Sequence, residues 1–210
     1  MTKKILIIGC LVIVLGLGAF AWAVAAPRRQ ALDCLTQLKG VRVSRTTEAD
    51  LLSRPFFQKS ARICTNNVCS YSLFATNTWL SLVHLAPATE IGVIVQVKDG
   101  LVFHVWVFGN IFFKGSISSV TLDQVPAGSS CGPRPCVTRD YRTKERYSSH
   151  SISAVKVTFD ENSDVSDQLS TGVNVSCLSR LRGCSSADEL LPLAGRLGGS
   201  AAQPQPKANP

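Results

Sequence analysis

The chain has 210 residues, 45% hydrophobic and 17% charged, with a formal net charge of +8. These values exclude a disordered polyelectrolyte and leave room for one ordinary domain with a real core. The basic excess survives removal of Lys3 and Lys4 and favours an anionic surface as partner. No Lys/Arg stripe interleaved with aromatics stands on a recognisable module, so no nucleic-acid partner is expected.

After Met1-Thr-Lys-Lys, residues 5–26 run uncharged, enough to span a hydrocarbon core, which takes about 20 residues. Trp22 lies near the far end, where an amphipathic ring favours the interface. Ala21-Trp-Ala23 and Ala23-Val-Ala25 also fit a small-residue cleavage site. The apolar run exceeds a signal peptide's usual core of about 7–15 residues, so residues 1–26 read as a retained anchor, with secretion after cleavage as the alternative. Arg28, Arg29, Lys39, Arg42 and Arg45 follow closely, and by charge count alone would hold the next domain inside. The cysteines argue the opposite, and they carry more weight.

Residues 28–39 read as a helix with Ala31, Cys34, Leu35 and Leu38 on one face and Gly40 as its stop. Thr47-Glu-Ala-Asp50 starts a second short helix, capped by Thr47 and ended by Pro55. Eight cysteines are present: Cys10 in the apolar segment, a lone Cys34, and three close pairs. Close pairing marks an oxidising compartment. Cys64-Thr-Asn-Asn-Val-Cys69 reads as a hairpin with Asn66-Asn67 as a type I′ loop. Cys64 and Cys69 then face each other in a non-hydrogen-bonded pair, with Cα atoms about 4.5 Å apart, within reach of a disulfide. The rival reading, four thiolates on zinc, needs spacings at the edge of the usual pattern.

Residues 77–85 are expected to be a short helix with Asn77 as cap and Pro87 beyond its end. Residues 90–108 are two strands around Lys98-Asp99-Gly100. A two-residue loop would pair Lys98 with Leu101; a three-residue loop with Gly100 left-handed would pair Val97 with Leu101. The second register is chosen. It sets Ile91, Val93, Val95 and Val97 beside Leu101, Phe103, Val105 and Val107 on one apolar face, and lays Trp106 across Gly92. Further strands are expected at 111–114, 116–122 and 151–160.

The intervening 126–149 reads as a long polar connection. Within it Cys131-Gly-Pro-Arg-Pro-Cys136 is a tight loop for a second disulfide. Arg134, Arg139, Arg142, Lys144 and Arg146 make a basic segment suited to an anionic surface or partner. Residues 163–170 could form a helical turn. Cys177 and Cys184 supply a third staple, leaving Cys34 free or intermolecular. Ser186-Ala-Asp-Glu189 is a capping box for a last helix, and 195–210 read as a disordered tail.

The fold class is therefore α+β. A mainly antiparallel sheet packs against a few short helices, preceded by one N-terminal transmembrane helix, with residues 27–194 as a single disulfide-stapled domain. No nucleophile elbow, phosphate-binding glycine loop or metal motif occurs, so no catalytic residue, cofactor or metal is assigned. His84, His104 and His150 are each isolated; His104 shares a strand face with Trp106 and Phe108 and could line a pocket with Trp106. Asp160, Glu161, Asp164 and Asp167 read as an exposed acidic turn. The leading expectation is a membrane-tethered envelope protein that binds another envelope component. The alternative is an exported enzyme with its pocket near His104 and Trp106.

Overall fold

The apolar segment and the first helix of the domain are one element. In the computed structural model, which describes residues 2–126, 135–142, 151–161 and 172–198, α1 runs from Thr2 to Leu38 with Pro27 inside it. Pro27 removes one backbone donor without ending the helix, a loss that apolar helices tolerate. Among the described residues, α1 is the one helix long and apolar enough to cross a membrane. Its last turns bury Ala31, Cys34, Leu35 and Leu38. Ala31 follows Ala26 by five positions, about 8 Å along a helix, so the apolar stretch and the core are joined without a linker. Gly40 takes a left-handed φ of 78° just past the end. Arg54 donates to the Lys39 carbonyl at 2.8 Å and to that of Gln37, placing a cation on the negative end of the helix.

Two short helices follow. α2 (Glu48–Leu52) has the full capping box, with Thr47 and Asp50 bonding each other's backbone N–H. Pro55, expected only as a stop, opens α3 (Pro55–Gln58) at its first position. Next come β1 (Ala61–Thr65), β2 (Val68–Thr76), α4 (Thr78–Leu82), β3 (Ala88–Lys98), β4 (Leu101–Phe113), β5 (Ser116–Val125), β6 (Cys136–Arg142) and β7 (Ser151–Asp160). A 3-10 turn (Val175–Leu178), α5 (Ala187–Leu190) and α6 (Pro192–Gly198) complete the described chain.

The strands form one seven-stranded sheet in the order β1-β2-β3-β4-β5-β7-β6. All pairings are antiparallel except β5 with β7, which run parallel. β7 inserts between β5 and β6, which gives one parallel joint in a sheet that is mainly antiparallel, as expected, with no βαβ unit among the described residues. The polar connection expected at 126–149 is corrected, since its middle is strand β6. This is an edge strand, where the exposed Arg139 suits a border that must not recruit another chain.

The Cys64–Cys69 hairpin is as expected. Asn66 and Asn67 both have positive φ (49° and 64°), and Cys64 faces Cys69 across a Cα separation of 4.0 Å in a disulfide. The β3–β4 hairpin is not. Its tip is the two-residue loop, with Asp99 and Gly100 both left-handed (51° and 79°) and Lys98 facing Leu101. A bulge between Gln96 and Val97 then shifts the pairing, so that Val95 faces Val105 and Val93 faces Val107. The extra residue restores odd positions of both strands to one face below the bulge. Near the tip, Val102 is buried in place of Leu101 and Phe103. Phe108, not Trp106, covers Gly92, where an added Cβ would lie 2.4 Å from the Phe108 ring.

One face of the sheet carries Tyr71, Val93, Val95, Val105, Leu122 and Val157 and packs into a single core with α1, the 3-10 turn, α5 and α6. Cys177 and Cys184 are joined and fully buried there, tying the 3-10 turn to the approach to α5. Only half of the expected capping box forms. Ser186 accepts from the Glu189 N–H, but Glu189 reaches past it to the Ser185 N–H.

Candidate functional site

The opposite face of the sheet carries the residues that sequence reasoning singled out. β4 alternates, so His104, Trp106, Phe108 and Phe112 point away from the core that holds Val105, Val107 and Ile111. His104 and Trp106 are in contact, ring centroids 3.7 Å apart. Phe74 on β2 leans toward Phe108 over Gly92, with centroids 5.7 Å apart. Phe74 and Phe112 are exposed on this face, and Ile94, Ile117 and Ile152 are half-buried.

Two residues that the sequence did not flag complete the arrangement. Asp123 on β5 faces Trp106, and its carboxylate meets His104 Nε2 with one oxygen and Lys156 Nζ, at 2.6 Å, with the other. The Asp123 side chain is 1% exposed, so these two partners are what make its burial tolerable. Lys156 lies on β7, so the three side chains cross β4, β5 and β7 and bridge the parallel joint. The polar track continues the other way, since Gln96 pairs with His104 and donates to Ser70 Oγ at 3.2 Å.

An aspartate on a histidine nitrogen can orient an acid–base group. Here the second carboxylate oxygen is taken by Lys156, and among the described residues no Ser, Thr or Cys side chain bonds His104. A small apolar crevice lies elsewhere, between α1 and β2–β3, lined by Ala31, Cys34, Leu35, Leu73 and Ile91 among others. What the outer face offers chemically is a partly apolar, aromatic-rich surface with a buried, charge-satisfied rivet beneath it.

The other sequence candidates scatter. Arg139 is exposed and donates to Asp188 of α5 at 2.9 Å. Arg142 ends β6, while Arg134, Lys144 and Arg146 lie outside the described residues, as do Cys131, the partner expected for Cys136, and the turn expected at 163–170. His84 is an exposed left-handed residue, far in sequence from His104, and His150 lies outside the described residues. Of the acidic run, Asp160 is buried and Glu161 half-buried, which corrects the exposed turn for those two; Asp164 and Asp167 lie outside the described residues. Among the described residues no three His, Cys, Asp or Glu side chains converge as metal ligands. Comparison with known protein families, curated proteins and solved structures finds no match to this chain.

Proposed function

We propose that the chain is a membrane-tethered extracytoplasmic domain that binds another envelope component, rather than an enzyme. The observation that carries this reading is α1, whose apolar half and core-forming half are one helix. Cleavage after Ala23 or Ala25 would cut it just before the turn that enters the core. A domain fixed to its span without a linker is suited to act at the membrane surface. The half-exposed Cys64–Cys69 staple supports the outer side, because a surface disulfide persists in an oxidising compartment. The binding surface in this reading is the outer sheet face, where Phe74 and Phe112 are exposed on the same side of the sheet as the His104–Asp123–Lys156 track.

The enzyme reading has one supporting observation, the His104–Asp123 contact. Against it, no Ser, Thr or Cys side chain among the described residues hydrogen-bonds His104, and the apolar crevice between α1 and β2–β3 lies away from it. Two results test the proposal. The protein should stay with membranes in high salt, and protease added outside should reach the domain. A photo-crosslinker at Phe112 should capture one defined envelope protein, while one at Lys59, exposed beside α3, should not. Soluble mature protein beginning near Val24 or Ala26 would remove the tether and leave export standing. Equal capture from both positions would remove the binding face.

A further inference from the structure

The chain leaves the sheet at Asn77 and rejoins it at Ala88. Buried Asn77 closes the neck of this excursion. Its amide donates to the Pro87 carbonyl at 2.9 Å, its Oδ1 accepts from the Thr89 N–H at 2.7 Å, and its own N–H donates to the Thr89 carbonyl at 3.0 Å. The side chain expected to cap α4 thus holds the loop's two ends together. Inside, the Leu85 N–H folds back on the Leu80 carbonyl at 2.9 Å, through a left-handed His84. Of the loop's large apolar residues only Leu80 is buried; Trp79, Leu82, Val83 and Leu85 are 53%, 66%, 46% and 47% exposed. A loop whose backbone is satisfied internally and whose apolar side chains face out is built to present them.

Its position indicates what it meets. α4 touches α1. Gln30 donates to the Phe74 carbonyl at 3.0 Å, fixing the end of β2 a few residues beyond the apolar run. Residues 7–22 of α1 are exposed throughout, whereas exposure falls to half at 23–27, where the helix nears the domain. The loop therefore stands where α1 would leave a bilayer. Arg28 and Arg29 flank the same point. The tip of the Cys177–Cys184 loop, with exposed Leu181 and Arg182, abuts it too, because Gly183 packs on Pro87 so closely that a Cβ there would lie 3.1 Å from the Pro87 ring. A tryptophan and leucines beside guanidinium groups at the end of a span match the chemistry of the headgroup boundary.

We propose that residues 78–85 form a second membrane contact, seated in the headgroup–acyl boundary of the leaflet from which α1 emerges. Trp79, Leu82, Val83 and Leu85 enter the lipid, and Arg28, Arg29 and Arg182 meet anionic headgroups. The inference rests on α1 being a retained span. Two points of attachment fix the rotation of the domain about α1, and so the direction in which the outer sheet face looks.

The three tryptophans separate the two claims. Full-length single-tryptophan proteins, keeping Trp22, Trp79 or Trp106, are reconstituted into protein-free vesicles of phosphatidylcholine and phosphatidylglycerol brominated near the headgroup or deep in the chains. Trp79 should lose emission most to the shallow bromines, Trp22 should be quenched as part of the span, and Trp106 on the outer face should be spared. Leu82→Asp with Val83→Asp, both on exposed positions, should abolish Trp79 quenching and leave that of Trp22. Since loss of Trp106 could impair folding, Trp79→Phe in the otherwise natural chain provides the same reading by subtraction. Trp22 quenched with Trp79 unaffected overturns this inference alone. Trp22 unaffected overturns the span and the inference with it.

Discussion

At the residue scale, two buried polar groups are decided by their partners. Asp123 is enclosed, and each carboxylate oxygen has one cationic or N–H partner. Removing a partner from a buried carboxylate typically costs about 3–5 kcal/mol, less where the site is near water. His104→Ala should therefore lower the urea midpoint more than Lys156→Met, because the lysine side chain is half-exposed and water can replace it. Equal losses would mean that Asp123 is better hydrated than its burial implies. Tyr71 is the second case. Burial of its ring, then the hydrogen bond to Glu48, pushes the phenol up to about 12. The folded state favours the neutral form, so the stability it contributes is complete below the ordinary tyrosine value of about 10. That contribution is lost as the pH rises from there to about 12. Phenolate absorbance should show a tyrosine that ionises only as the pH approaches about 12 and is missing in Tyr71→Phe, which should also flatten the alkaline limb of the stability curve. None of this was readable from the sequence. A lone Asp in Thr121-Leu-Asp-Gln124 and a Tyr in a strand carry no sign of partners that arrive from other strands.

At the element scale, what could be read was what local chemistry decides. Asn66-Asn67 dictates a type I′ turn, the turn sets the register, and the register makes the disulfide. The β3–β4 hairpin shows where this reasoning stops. Alternation correctly gave odd positions of β3 to the core, but a bulge holds one register at the tip and another below, and pattern alone cannot see an inserted residue. β6 escaped notice because an edge strand of charged and polar residues has no apolar period. Val95 and Gln96 test the face assignment. Val95→Asp would bury an unpaired carboxylate in the core, a loss of several kcal/mol against a total of about 5–15 for a domain. Gln96→Asp, on the half-exposed face, should cost about 1 kcal/mol or less, chiefly the bond to Ser70. Similar thermal melts for the two variants would reverse the faces. Gly92→Ala should be harmful despite its small size, since Phe108 and Phe74 occupy the space a Cβ needs. Crowding of this kind costs about 1–3 kcal/mol.

At the scale of the whole molecule, the arrangement is a sheet mounted on its own apolar helix. The α+β class and the apolar N-terminal run were legible, because length and hydrophobic pattern decide both. The continuity of α1 was not, since Pro27 and the charges after it look like a boundary in a linear reading. In the proposed reading that continuity would turn an anchor into a mount and make the orientation of the outer face a property of the fold. Basic residues after the apolar run and cysteine pairs argue for opposite sides of the membrane, so the side on which Cys64 and Cys69 lie decides the account. The direct measurement is labelling of intact cells with a membrane-impermeant maleimide, with and without an impermeant reductant, followed by mass analysis of the membrane fraction. The expected result is a chain that retains residues 1–26, with Cys64 and Cys69 labelled from outside only after reduction. Labelling of that pair only after lysis, or a mature chain that starts near Val24 or Ala26, would contradict it.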